Sequence, residues 1–275
     1  PYCVSYADIV KLADGETKYI HCGFDQEYKL KPEQLKAAIT PKSKAIIFSS
    51  PSNPTGALYS KKELEGLAEV LKQYPDLFII SDEIYEYINY VGGHESIAQF
   101  DYLKDRIIII NGFSKGFAMT GWRLGYSVSP APIAKACETI QGQFTSGANA
   151  MTQRAAIYAL NSSNQPSMEM TKEFKKRRDF MVAELRKISG LKFHQPQGAF
   201  YLFPQVSSYF GKSDGETNIK NADDLCMYLI DKAHVSTVTG TAFGEPECIR
   251  LSYANSMEKL KEAADRIKAV LDKLK

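Results

Sequence analysis

Cysteine is scarce in this chain and never paired by spacing. Cys3, Cys22, Cys137, Cys226 and Cys248 are odd in number, far apart and form no C-x-x-C. That argues against a disulfide framework and for a reduced, cytoplasmic protein. Histidine is also sparse. His21, His94, His194 and His234 stand singly, no pair has the spacing of a zinc site, and each reads as structural or surface, so no metal is expected. An excess of one charge is missing too: 34 Lys+Arg against 32 Asp+Glu leave a net charge of +2. With no long run of like charge, nothing supports a nucleic-acid or membrane-surface partner. No apolar run approaches a membrane span, and the start lacks the basic and apolar regions of a signal peptide. It also lacks Met, and Pro1 to Tyr6 (PYCVSY) reads like mid-domain sequence. A fragment without its N-terminal part is therefore expected.

What is present is a packed α/β chain. Its 275 residues are 44% hydrophobic, enough for one large domain with a smaller one. Apolar runs at Lys44–Ser49, Leu77–Ser81, Arg106–Ile110 and Arg123–Val128 read as strands. A helical pattern lies between the first two, over Ser60–Gln73, with Leu64, Leu67, Ala68 and Leu71 on one face and Ser60 with Glu63 as a capping box. This alternation predicts a mostly parallel, doubly wound sheet. Helices are expected over Pro130–Phe144 and Ala148–Ala159. A break at Asn161–Pro166 precedes a long charged helix over Ser167–Ile188. The rest mixes helices with short strands at Ala199–Phe203, Val235–Val238 and Cys248–Ser252. Leu260, Ala264, Ile267 and Leu271 share one face of the last helix. The reading is a large domain over 1–164 and a smaller C-terminal α+β domain over 165–275.

Three of the strands end in groups suited to chemistry. Ser50-Pro51-Ser52-Asn53-Pro54-Thr55-Gly56 follows the first, Asp82-Glu83-Ile84-Tyr85 the second, and Asn111-Gly112-Phe113-Ser114-Lys115 the third. If the strands are parallel, all three sets lie on the carboxyl edge of one sheet, where open α/β sheets bind ligands. Each signal alone has a plain reading. Asn-Pro-Thr-Gly is a common turn, Ser-Asp-Glu a common helix cap, and a lone lysine after a strand usually faces solvent. Asp82 with Glu83 could also hold Mg²⁺. Together, in order, the groups fit pyridoxal phosphate. That cofactor needs a lysine for a Schiff base, an acid beside its pyridine nitrogen, partners for its phenolic oxygen and a cation for its phosphate. Lys115, Asp82, Asn53 with Tyr85, and Arg123 are the matching types. Between Lys115 and Arg123 stand two glycines and no charge.

With these residues the chain resembles the class I/II aminotransferases, fold-type I pyridoxal-phosphate enzymes of the aspartate aminotransferase family. The segments that carry the likeness are Pro1–Tyr6, Ser50–Gly56 (SPSNPTG), Ser81–Tyr85 (SDEIY), Gly112–Gly125 (GFSKGFAMTGWRLG) and Arg250–Tyr253 (RLSY), and they run through nearly the whole chain. The resemblance implies Lys115 as the Schiff-base lysine, Asp82 at the pyridine nitrogen, Asn53 and Tyr85 at the phenolic oxygen, and Arg123 at the phosphate. It implies Arg250 at the substrate α-carboxylate, with Asn53 beside it, and Gln197–Tyr201 as a segment closing over substrate. From its sequence alone Arg250 reads better as a strand-edge charge. Two departures stand out. Gly112 occupies a position where many relatives have a phosphate-binding serine, for which Ser114 could compensate. Cys3 lies where the family often places a tryptophan against the cofactor ring.

The resemblance further implies amino-acid and 2-oxo-acid substrates, with aspartate and 2-oxoglutarate the first expectation, and a homodimer with active sites near the subunit interface. The same groups could serve a C–S β-lyase. An aminotransferase-like effector domain of a transcription regulator, and a cofactor-free structural or metal-binding α/β protein, are readings of other classes.

Overall fold

The computed structural model describes residues 1–275. Its first sheet has the order β1 (Ala45–Ser49), β2 (Phe78–Asp82), β3 (Ile107–Gly112), β4 (Gly125–Val128). The first three strands are parallel, and β4 runs antiparallel to β3. The Ile- and Phe-rich runs at Ile46–Phe48, Phe78–Ile80 and Ile107–Ile110 suit inner strands covered by helices. The register sets Ser49 beside Asp82 and Asp82 beside Ile110, so the three strand ends stand level and their loops share one edge.

Between β1 and β2 runs a helix, α3 (Lys61–Leu71); two shorter helices, α1 (Ser5–Leu12) and α2 (Pro32–Ala38), precede β1. The predicted capping box is present. Ser60 Oγ accepts from the Glu63 amide at 3.3 Å, and Glu63 accepts from the Ser60 amide at 2.8 Å. Leu64, Leu67, Ala68 and Leu71 are buried and pack with Leu35, Ile79, Leu103 and Ile107 in one core. After β4 come α4 (Ala131–Phe144) and α5 (Ala150–Asn161). No residue of β4 or α4 is buried: Val128, Ile140 and Phe144 are 59%, 61% and 85% exposed.

The second core is built from α6 (Gln165–Leu185), β5 (Tyr201–Leu202), α7 (Ala222–Ala233), β6 (Val238–Thr239), β7 (Ile249–Ser252) and α8 (Met257–Leu271). The strands form an antiparallel sheet of order β5-β7-β6. Leu260, Ala264, Ile267 and Leu271 of α8 are all buried, as their periodicity requires. Two expected strands are shorter or shifted. Ala199 has φ +56°, which breaks the extended run before Tyr201. His234 is left-handed, and the Val235 amide turns back to the Leu229 carbonyl at 3.2 Å, a helix C-cap that delays β6. The sequence reading places no helix at α1, α2 or α7.

The two parts meet at the strand-end loops. The Gln197 and Gly198 amides both donate to the Gly56 carbonyl, at 2.9 and 3.0 Å. Gly56 has φ +69°, and a Cβ there would come within 2.7 Å of the Gly198 carbonyl oxygen, so only glycine suits this junction. At the start of α6, Ser167 Oγ donates to the Gly116 carbonyl at 2.6 Å and Thr171 Oγ1 to the Tyr87 carbonyl at 2.7 Å.

Candidate active site

Asp82 is the last residue of β2. Its Oδ2 accepts from the Tyr6 hydroxyl at 2.6 Å and its Oδ1 from the Ile84 amide at 3.2 Å. Burial raises the carboxyl above its ordinary value, against the opposing effect of these two hydrogen bonds. Each oxygen keeps a lone pair for a further donor. Tyr6 went unnoticed in the sequence, where it belongs to a quoted segment but carries no signal of its own. It reaches Asp82 only because α1 lies over this sheet edge.

Asp82 and Glu83 do not face one another. Glu83 turns inward, where Oε1 accepts from Ser81 Oγ at 2.9 Å and Ser96 Oγ at 2.7 Å, and Oε2 meets His94 Nε2 at 2.8 Å. Consecutive residues leaving a strand point to opposite sides, so the Asp82–Glu83 pair cannot close on one Mg²⁺. Glu83, Glu86 and His94 have ligand-type atoms within 4.8 Å of one another. Both Glu83 oxygens are already engaged, which makes this cluster a hydrogen-bonded anchor under the β2 loop.

Asn53 and Arg250 come together from opposite parts of the chain: Arg250 Nη1 donates to Asn53 Oδ1 at 2.8 Å. The guanidinium carbon lies 4.4 Å from the Tyr201 ring centroid and 4.7 Å from that of Phe243. Arg250 is therefore no strand-edge solvent charge; aromatic faces hold it beside Asn53. Asn53 Nδ2 has only a long contact to Cys3 Sγ, at 3.9 Å, and remains a donor for the site. The Tyr85 hydroxyl is 2.8 Å from that of Tyr201, and both side chains are buried.

Lys115 follows β3 and makes no ion pair; its Nζ lies 5.7 Å from the Phe200 ring centroid. Burial, then the charges of Arg123 and Arg250, lower its affinity for a proton. Arg123 is exposed with φ +55°, and its Nη1 donates to the Thr120 carbonyl at 3.0 Å. No carboxylate neutralises Lys115 or Arg123. Ser114 precedes Lys115; its carbonyl accepts from Thr120 Oγ1 at 2.8 Å, and its own hydroxyl carries no hydrogen bond. Gly112 cannot be replaced by a larger residue without movement: a Cβ would come within 2.8 Å of Gly125 Cα and 3.0 Å of the Leu124 carbonyl oxygen. The close β3–β4 crossing accounts for glycine there.

This donor set fits pyridoxal phosphate. It offers one proton-poor amine, one half-buried carboxylate, an amide donor, a phenol pair with a hydrogen to spare, and cations without counter-charges. The sequence comparisons agree. Residues 1–267 match the family model for aminotransferase class I and II. The chain is 45% identical over 280 residues to a bifunctional aspartate aminotransferase and glutamate/aspartate-prephenate aminotransferase of Petunia hybrida, covering 100% of this chain and 58% of that protein. It is 43% identical over 275 residues to an aspartate aminotransferase of Bacillus subtilis, covering 99% and 69%. The crystal structure of the aspartate aminotransferase from Rhizobium meliloti superposes with a TM-score of 0.96 at 41% identity, over 100% of this chain and 70% of that one. The chain thus spans 58% to 70% of the length of these relatives, and with residues 1–267 matched it belongs to the class I and II aminotransferases.

Proposed function

We propose that the protein carrying this chain is a pyridoxal-phosphate-dependent aminotransferase that moves the α-amino group of an L-amino acid, aspartate, to 2-oxoglutarate. The observation that supports this most is a Lys115 made proton-poor by burial and by the nearby charges of Arg123 and Arg250, with Arg250 itself bonded to Asn53. The names of the relatives favour aspartate as the amino donor.

The bound cofactor supplies an aldehyde for amine exchange and a protonated ring that draws electrons from the substrate α-carbon. Lys115, short of a proton, would be the amine that holds the cofactor and, when free, the base that carries the proton from the substrate α-carbon. Asp82 would hold a proton on the ring nitrogen, with Tyr6 orienting the carboxylate. Asn53 Nδ2 and the Tyr85 hydroxyl would donate to the phenolic oxygen, and Arg123 and Ser114 would hold the phosphate. Arg250 spends one donor on Asn53 and keeps others for a two-point grip on the α-carboxylate, which fixes the direction of the Cα–H bond.

In this reading residues 1–164 form the cofactor domain and residues 165–275 a smaller one that closes over substrate. The apolar surfaces of β4, α4 and α5 support a homodimer. Five free cysteines suit the cytoplasm, and no helix is long and apolar enough to cross a membrane.

The test is incubation with aspartate, 2-oxoglutarate and pyridoxal phosphate. Glutamate should form, and Lys115→Ala should lower its rate by roughly 10²–10⁴-fold. Pyruvate, ammonia and sulfide from cysteine, with no glutamate from aspartate, would instead indicate β-elimination, and an undiminished Lys115→Ala would remove Lys115 from its role.

A further inference from the structure

We infer that Tyr201 is a positioning residue shared by two binding groups, its ring face steadying Arg250 and its hydroxyl orienting the hydroxyl of Tyr85. The inference rests on the functional reading above and adds a link between its substrate-binding and cofactor-binding sides.

The geometry follows from strand register. Tyr201 pairs with Ser252 across β5 and β7. Arg250, two residues earlier on β7, lies on the same face as Ser252, diagonal to Tyr201 and within reach of a large ring. The guanidinium accordingly sits 4.4 Å from the Tyr201 centroid. Tyr85 reaches the same ring from the other sheet. The two rings meet edge to face at 5.9 Å and 81°, and their hydroxyls are 2.8 Å apart. Neither hydroxyl has another hydrogen bond in the chain, so only one of the two hydrogens lies between them and the other remains for a ligand.

Either hydroxyl can give its hydrogen to the other. The Arg250 cation over the face of the Tyr201 ring draws electrons from that phenol and favours Tyr201 as the donor, which leaves the Tyr85 hydrogen for the site. A hydroxyl that accepts one hydrogen bond donates a stronger one, so Tyr201 strengthens the grip of Tyr85 on the phenolic oxygen.

The experiment uses the protein loaded with pyridoxal phosphate and follows its visible absorption band against pH, with and without maleate, a dicarboxylate that cannot transaminate. Tyr201→Phe keeps the ring and its volume but loses the hydroxyl. The phenolate form then loses support, and the band should titrate about half a pH unit higher than in wild type. Tyr201→Leu loses the ring face as well, and maleate should bind roughly fivefold more weakly than to Tyr201→Phe. An unmoved titration in Tyr201→Phe overturns the inference, as does equal maleate affinity in the Phe and Leu variants. A wild-type protein that develops no visible band overturns the functional reading itself, and the inference with it.

Discussion

At the scale of single residues, the site works by environments that move protons. Asp82 shows this most directly. Its folded carboxyl sits above the ordinary value of 3.8 because burial outweighs the Tyr6 and Ile84 hydrogen bonds. A folded value above the unfolded one means the folded protein holds this proton more tightly. Stability is then fullest below the unfolded value and falls as pH rises through the interval up to the folded one. Without cofactor, Asp82→Asn should therefore be more stable than wild type at pH 7, and the advantage should vanish below about pH 4. With cofactor, under the proposed function, the same change should cost roughly 10²–10³-fold in kcat, since the ring nitrogen would lose its counter-charge. Denaturant titrations of both proteins across pH check the first part; a less stable Asn variant at pH 7 would contradict it. Asn53, Asp82, Tyr85 and Lys115 stood out in the sequence because each follows a strand beside turn residues, and Arg123 because it closes the charge-free run after Lys115. Tyr6 and Tyr201 did not, since a lone tyrosine in an apolar context has the same pattern whether it packs or positions.

At the scale of elements, local rules account for most of what forms. Ser60 and Glu63 cap α3 as their spacing predicts, and Ser60→Ala should cost about 1 kcal/mol in urea denaturation. β3 and β4 carry a constraint of another kind. Gly112 lies opposite Gly125 in an antiparallel crossing with no room for a Cβ. Gly112→Ser should destabilise the protein by about 1–3 kcal/mol and should not tighten cofactor binding, measured by equilibrium titration. Tighter binding in a stable Gly112→Ser protein would restore a serine phosphate ligand to that position. Strand ends proved harder to read than helix faces. Ala199 and His234 adopt left-handed backbone, which neither residue type announces.

At the scale of the whole molecule, the site belongs to both cores. Asp82, Tyr85, Lys115 and Arg123 come from the first sheet and its loops, and Tyr201 and Arg250 from the second. Ligands that bridge them should stabilise both. Cofactor at a hundredfold excess over its Kd should add about 2.7 kcal/mol, and maleate added next should slow amide exchange in β7 as well as in the β2 and β3 loops. Protection confined to the first sheet would argue against a shared site. The sequence by itself determined the alternation of strands and helices, the mostly parallel first sheet, and the residues at its carboxyl edge, because periodicity and turn chemistry are local. Only the tertiary structure decided that Arg250 leaves the strand edge for Asn53, 197 positions away, and that Tyr6 caps Asp82. It also decided that Tyr201 touches both Tyr85 and Arg250. Those contacts depend on register and on how two sheets meet, which no short stretch of sequence encodes. The lysine loop is thus legible alone, but its working partners are set by packing.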